Sequence, residues 1–133
     1  MGTRALVHVN DGGTTLLTIY RQFDGYPTGM GKDLAAILRG RTIVNGFGAG
    51  MDESNTSNGM GCLAATLVKQ LKDGIGNVYV YPPCSSGVGE EYVYTVNRRD
   101  GRLTLSIVSV YGGTDPLYAG FADDLTDDML DAL

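Results

Sequence analysis

Residues 20–31 read YRQFDGYPTGMG and join a strand-like segment to a helix-like one. The middle of this stretch, DGYPTG, is dense in residues that form tight turns. Gly29 and Gly31 stand just before the helical pattern, where small residues let the backbone turn closely. We therefore expect a tight corner here, at which the start of a sheet passes into the first helix.

Two strand-like segments precede this corner. Residues 5–9 and 15–23 are rich in β-branched and apolar residues, and the NDGG between them has the chemistry of a hairpin turn. Alternation along the first strand places Val7 and Val9 on the face opposite His8. The register stays open, because loops of two to four residues all give acceptable pairings.

Helical spacing of apolar residues begins after the corner. Residues 32–38 and 62–72 each place apolar side chains on one stripe, which predicts two helices. Residues 42–44 suit a short strand between them. Residues 45–61 then form a long loop with five glycines. A loop of this length in a small domain is usually functional or mobile.

The second half of the chain returns to strand patterns, at residues 78–81, 92–96 and 103–110. The sequence predicts an α+β fold: a mostly antiparallel sheet of about five strands with two hairpins, backed by two helices, in the order ββααβββ. Residues 1–122 form this domain. Residues 123–133 carry five aspartates and apolar residues at helical spacing, which indicates a short acidic amphipathic helix or tail.

The charge balance argues against one class of partner. The chain has 133 residues and a formal net charge of −5, with ten Lys and Arg residues scattered along it. Nonspecific nucleic-acid binding needs clustered cations that displace counterions from phosphates, so we do not expect it. The densest basic run is Arg98, Arg99 and Arg102 in a predicted turn. Three arginines could form a local phosphate-binding site but not a long electropositive groove.

Other classes are excluded by what the sequence lacks. No basic stretch followed by an apolar run marks a secretory signal, and no apolar run approaches the roughly 20 residues that span a bilayer. Cys62, Cys84 and the single histidine, His8, show no zinc-ligand spacing. We therefore expect a cytoplasmic protein with reduced thiols, no metal, no cofactor and no membrane association.

The first candidate site is residues 20–31 itself. Arginine offers a planar donor fork for an anion, tyrosine offers a ring for stacking, and a glycine-lined helix start offers backbone N–H groups. The predicted ligand-binding residues of this segment, with those at the start of the second helix, are Tyr20, Arg21, Asp24, Tyr26, Gly29, Gly31, Asn58, Gly59 and Gly61. The same residues equally suit a structural corner, in which Asp24 caps the turn or pairs with Arg21.

This segment resembles one shared by small proteins of phages and bacteria. Those proteins carry Tyr-Arg/Lys-x-x-Asp-Gly-Tyr-Pro followed by a glycine-rich helix start, which is found here from Tyr20 to Pro27. NGMG at residues 58–61 and GEEY at residues 89–92 are similar to the same proteins, so the likeness covers most of residues 3–121. It implies a shared fold, and a host-cytoplasmic location if the chain is phage-encoded. It implies no particular activity.

The remaining candidate sites match known catalytic or binding motifs only in part. Cys62 lies in the first turn of a predicted helix, where the dipole can activate a thiol, and His8 is the one histidine that can serve as its base. The glycine-rich stretch at residues 46–50 lacks the Gly-Lys-Ser/Thr of a phosphate-binding loop and suits a flexible cover. Glu90 and Glu91 point to opposite faces if extended, and we expect both to be solvated surface residues.

Three functions follow as hypotheses. The first is a non-catalytic binding protein for a small anionic or nucleotide-like ligand, held by residues 20–31 and covered by residues 45–61. The second is a protein–protein interaction module, such as an inhibitor of a host factor, that uses the acidic tail. The third is a thiol-dependent hydrolase with Cys62 as nucleophile and His8 as base. Exposed strand edges also leave room for a homodimer.

Overall fold

A mixed six-stranded sheet carries the fold in the computed structural model, which describes residues 2–133. The chain forms eight strands: β1 (Ala5–Asp11), β2 (Thr14–Arg21), β3 (Thr42–Val44), β4 (Thr56–Asn58), β5 (Val78–Tyr81), β6 (Tyr92–Arg99), β7 (Arg102–Ser109) and β8 (Tyr118–Phe121). The strand order in the main sheet is β5-β2-β1-β6-β7-β8, and β3 pairs with β4 separately. β1 runs parallel to β6, while all other pairs in the main sheet are antiparallel.

Three α-helices accompany the sheet: α1 (Lys32–Leu38), α2 (Gly59–Leu71) and α3 (Asp127–Asp131). A π-helical turn, Pro27–Gly31, leads directly into α1, and a 3-10 turn, Ala122–Asp124, precedes α3. None of the helices within residues 2–133 has the length and apolar character needed to cross a bilayer.

The core lies between the helices and one face of the sheet. It is lined on the sheet side by fully buried Val7, Val9, Ile19, Tyr94 and Leu105, and on the helix side by fully buried Leu34, Leu38, Leu63 and Leu67. Each large apolar side chain contributes roughly 1.5–3 kcal/mol by leaving water. The alternation along β1 accordingly places His8 on the other face, as the sequence predicts.

No helix packs on the opposite face of the sheet, because the buried residues of all three helices belong to the core cluster. Thr18 on this face is buried and accepts a hydrogen bond from the backbone N–H of Cys84, in the loop of residues 82–91, at 3.0 Å. Tyr20 is also buried and stacks on the ring of Tyr81, with centroids 4.7 Å apart. The loop and these tyrosines therefore cover one end of the face, from β5 to β1.

The expected corner forms at residues 20–31. Its backbone is pinned by two hydrogen bonds, from the Gly25 N–H to the Thr3 carbonyl at 2.8 Å and from the Met30 N–H to the Asp24 carbonyl at 2.9 Å. The buried hydroxyl of Tyr94 donates to the Gly25 carbonyl at 2.6 Å. The corner is thus tied to the middle of the sheet.

The α+β class is confirmed, with differences in detail. The two expected hairpins form, as β1–β2 and β6–β7, but the main sheet has six strands and is mixed. The chain adds β5 outside β2 and then crosses back to place β6 beside β1, which makes that pair parallel. The observed order is ββαββαββββα: β3 and α3, which the sequence suggests but the predicted order leaves out, do form, and β4 and β8 form in addition. Both are too short, at three and four residues, for a visible alternation.

Two helix boundaries also differ from expectation. α2 begins at Gly59 instead of residue 62, so the glycine-rich NGMG supplies its first turn. The acidic segment, residues 123–133, forms the 3-10 turn and α3, and it docks on its own domain. Leu125 and Leu130 are fully buried there. Ion pairs from Lys32 to Asp131 at 2.6 Å and from Arg39 to Asp127 at 2.9 Å hold the segment in place.

The corner predicts opposite responses to the same substitution at two glycines. A Cβ at Gly29 would collide with the Asp24 carbonyl oxygen, which is backbone and cannot rotate away, whereas a Cβ at Gly61 in α2 meets nothing within 4 Å. Gly29→Ala should lower the free energy of unfolding by about 2 kcal/mol or more. Gly61→Ala should leave it unchanged or raise it by up to about 1 kcal/mol, since alanine favours helix.

Urea denaturation of both variants measures this difference. Equal stabilities for Gly29→Ala and Gly61→Ala would show that the corner is loosely packed.

Candidate functional site

The Arg21 side chain makes its contacts within the corner and with α1. Its side chain is only 11% exposed, and its guanidinium donates to the Asp33 carboxylate at 2.7 Å and to the Phe23 carbonyl at 2.8 Å. Arg21 and Asp33 also line a hollow of about 400 Å³ between α1 and the end of α2. No other predicted ligand-binding residue lines that hollow.

The two tyrosines of the segment lie apart. Tyr20 is buried on the opposite face of the sheet, so it does not share a site with Arg21. Tyr26 is 38% exposed, and its hydroxyl donates to the Asp24 carboxylate at 3.0 Å. That hydrogen bond, with the nearby Asp24 charge, raises the pKa of Tyr26. Asp24 thus holds the turn by its side chain as well as its carbonyl.

Other residues of the protein already contact the glycines of the corner. The Gly29 N–H donates to the Tyr26 carbonyl at 2.9 Å, and Gly31 is buried, with the Leu130 side chain of α3 3.0 Å from where its Cβ would be. The structure therefore brings most of residues 20–31 together as a packed corner. It does not present the Gly29–Gly31 backbone as an open anion cradle.

An open cleft of about 600 Å³ lies instead at the start of α2. One wall is the glycine-rich loop, residues 47–51 with Glu53, and the other is formed by Thr56, Asn58, Cys62 and Thr66. The loop of residues 45–61 was expected to cover the corner, but residues 47–51, Glu53, Thr56 and Asn58 of it line this cleft, and no residue of the corner does. The volume is within the 300–1,000 Å³ of typical small-molecule sites.

Both ends of the loop are anchored. The Gly46 N–H donates to the Asn58 side-chain oxygen at 2.6 Å, and the Arg41 guanidinium donates to the Ser54 carbonyl at 3.2 Å. Between these anchors Phe47 is 73% exposed and Met51 is 43% exposed. The loop therefore holds two large apolar side chains in solvent at the mouth of the cleft.

The helix that starts beside this cleft has no side-chain cap. This helix, α2, also has no acidic residue in its first turn. An uncapped helix N-terminus carries a partial positive charge from free N–H groups. Gly59 has a left-handed φ of 83°, and neither Gly59 nor Gly61 has an atom within 4 Å of where its Cβ would be. The approach to this backbone is open.

Cys62 and His8 do not meet. Cys62 lies on α2, which packs on the core side of the sheet, and its side chain lines the cleft. His8 points from the other face of the sheet and bonds through Nδ1 to the Thr18 hydroxyl at 2.8 Å. The sheet therefore stands between the proposed nucleophile and its proposed base.

A polar network on the helix-free face was not anticipated. Glu90 is 8% exposed rather than a solvated surface residue, and its carboxylate accepts hydrogen bonds from the backbone N–H groups of Gly87 at 3.1 Å and Val88 at 2.8 Å. Burial by itself would raise the pKa of Glu90, but backbone N–H groups outweigh it and the pKa is lowered. Burial lowers the pKa of His8, partly offset by the Glu90 charge. The glycines at 87 and 89 were the one sequence signal for this tight loop.

No protein-family model, curated protein or solved structure matches this chain.

The His8 network predicts a pH dependence of stability. Because the pKa of His8 is lower in the folded protein than its ordinary 6.5, the unfolded chain takes up the proton first. The free energy of unfolding should therefore be highest above about pH 6.5 and fall as the pH drops from 7 to 5.5. Because the pKa of Glu90 is lowered from 4.5, protonation of Glu90 should reduce the free energy of unfolding further only below pH 5.5.

Urea denaturation across pH 7 to 5.5 tests this, with His8→Gln as the comparison. The slope of stability against pH should be shallower in His8→Gln. Equal slopes in both proteins would contradict the assignment.

Proposed function

We propose that this chain is a non-catalytic binding protein for a small anionic or nucleotide-like ligand, that it serves as an accessory protein of a phage, and that the cleft at the start of α2 is its site. The observation that carries the proposal is the cleft of about 600 Å³, lined by Asn58 and Cys62, beside which α2 starts without a side-chain cap. Helix N-termini bind phosphate and carboxylate groups through free N–H groups and the dipole.

Each wall of the cleft has a separate role in this proposal. The start of α2, where Asn58 and Cys62 line the cleft, takes the anionic group, and no Cβ at the intervening Gly59 or Gly61 blocks its backbone. The exposed side chains of Phe47 and Met51 cover the apolar or aromatic part of the ligand. The loop closes over the bound molecule, with its ends anchored at Asn58 and Arg41.

Glu53 narrows the class of ligand. Its carboxylate lines the same cleft and repels a bare anion. A ligand that fits both walls presents negative charge to the helix start and hydrogen-bond donors, such as hydroxyl or amino groups, to Glu53. A nucleotide has all three parts, namely phosphate, ring and donors. This combination favours a nucleotide-like molecule over inorganic phosphate in the cleft.

A binding role fits the cleft better than thiol catalysis. Cys62 lines it, but the single histidine of the chain lies on the other side of the sheet. A cysteine nucleophile needs a base within hydrogen-bond reach. Cys62 therefore acts in this proposal as a small side chain on the cleft wall.

A second candidate function is protein–protein interaction through the C-terminal segment. Leu125 and Leu130 are used within the domain, but Met129 and Leu133 remain 40% and 43% exposed beside the aspartates of α3. An acidic segment with exposed apolar side chains suits a basic, apolar groove on a partner.

Calorimetric titration with nucleoside phosphates and cyclic nucleotides tests the first proposal. Gly61→Glu places a carboxylate at the helix start, where it competes with the ligand's anion, yet acidic residues in a first turn favour the helix. We expect ligand affinity to fall at least about tenfold, which corresponds to 1.4 kcal/mol, without loss of folding.

Gln70→Glu is the matched control, because it adds the same charge near the other end of α2, far from the cleft-lining Asn58 and Cys62. It should bind like the unmodified protein. If no nucleotide binds, or if both variants bind alike, the cleft is not the site.

A further inference from the structure

Two arginines face each other across the β6–β7 hairpin. The pairing register places Arg99 directly opposite Arg102, and both side chains are exposed. Like charges at directly opposed positions destabilise a hairpin. In a chain with a net charge of −5, such a pair is an isolated concentration of positive charge.

Neither arginine is neutralised by the chain itself. Their neighbour Arg98 forms an ion pair with Asp11 at 3.1 Å. Across residues 2–133, no carboxylate lies within ion-pair distance of Arg99 or Arg102, and neither guanidinium has a hydrogen-bond acceptor. Asp100, in the turn between them, is therefore close in sequence without pairing with either. Their donor groups stay available.

Both guanidiniums pack on the same aromatic ring. The guanidinium carbon of Arg102 lies 3.8 Å from the centroid of the Phe121 ring, and that of Arg99 lies 4.7 Å from the same centroid. Cation–π contacts of this kind order both side chains before any ligand arrives. An ordered pair of donor forks loses less entropy when it binds an anion.

A polar hollow on the helix-free face of the sheet adjoins Arg99, and Arg102 lies just outside its lining. It has a volume of about 400 Å³ and is lined by Arg99 and by the side chains of Thr95, Thr104 and Ser106. None of the three hydroxyls has a hydrogen-bond partner among residues 2–133. Hydroxyls on one face of a sheet can both donate to and accept from a hydroxylated ligand.

We propose that this end of the sheet is a second binding site, for the phosphate group of a small phosphorylated molecule. The Arg99 and Arg102 forks take the phosphate oxygens, and the hydroxyls of Thr95, Thr104 and Ser106 take the remainder of the ligand. The site is on the opposite face of the sheet from the α2 cleft, so it does not depend on the function proposed for that cleft. Two arginines suit one phosphate group rather than a polyanion.

NMR titration of the ¹⁵N-labelled protein tests the site. The probes are inorganic phosphate and glucose 6-phosphate, added at constant ionic strength with sodium chloride as the reference salt. Saturable shifts should appear at the amides of Arg99, Arg102 and Thr104. Tighter binding of glucose 6-phosphate identifies a ligand that uses the hydroxyls, while equal binding identifies the phosphate group alone as what is recognised.

Arg99→Gln should weaken binding of both probes at least about tenfold, because it removes charged hydrogen bonds to the phosphate. The double variant Arg99→Gln/Arg102→Gln should weaken binding further. Lys69→Gln is the control, because Lys69 is an exposed cation on α2. The proposal is overturned if no shift saturates, if the double variant binds as well as the unmodified protein, or if Lys69→Gln weakens binding equally.

Discussion

The hydrogen bond from the Tyr94 hydroxyl to the Gly25 carbonyl is the contact on which the rest of the fold depends. It is buried, spans 69 residues of sequence and joins β6, in the middle of the sheet, to the corner that starts α1. Burial raises the pKa of Tyr94, so the hydroxyl stays a donor at any physiological pH. With the corner fixed, Gly31 accepts the packing of Leu130, and the C-terminal segment closes over it.

This constraint explains why the most distinctive stretch of the chain is structural. Arg21, Asp24 and Gly29 are chemically suited to anion binding, but each is used by a contact within residues 20–33. Backbone and side-chain donors that satisfy one another have little left for a ligand. The groups left open lie elsewhere, at the uncapped start of α2 and at the arginine pair on the helix-free face.

Local sequence patterns were enough to predict part of the fold. The corner, the helix from Lys32 to Leu38 and the hairpin of β6 and β7 follow from turn residues and periodicity. Turn residues and periodicity could not predict the parallel β1–β6 pair or the separation of Cys62 from His8. Both depend on where distant segments cross the sheet. Burial of Glu90 was missed because its partners are backbone N–H groups, for which the only sequence signal is the pair of glycines at 87 and 89.

Amide hydrogen exchange at Met30, in the unmodified protein and in Tyr94→Phe, tests the central role of this contact most directly. The Met30 N–H closes the corner by donating to the Asp24 carbonyl at 2.9 Å. If the Tyr94 hydroxyl holds the corner, this amide exchanges only with global unfolding, and Tyr94→Phe lowers its protection by about 1–3 kcal/mol. Exchange of Met30 as fast as that of exposed loop amides such as Ala49, or unchanged protection in Tyr94→Phe, would contradict the account.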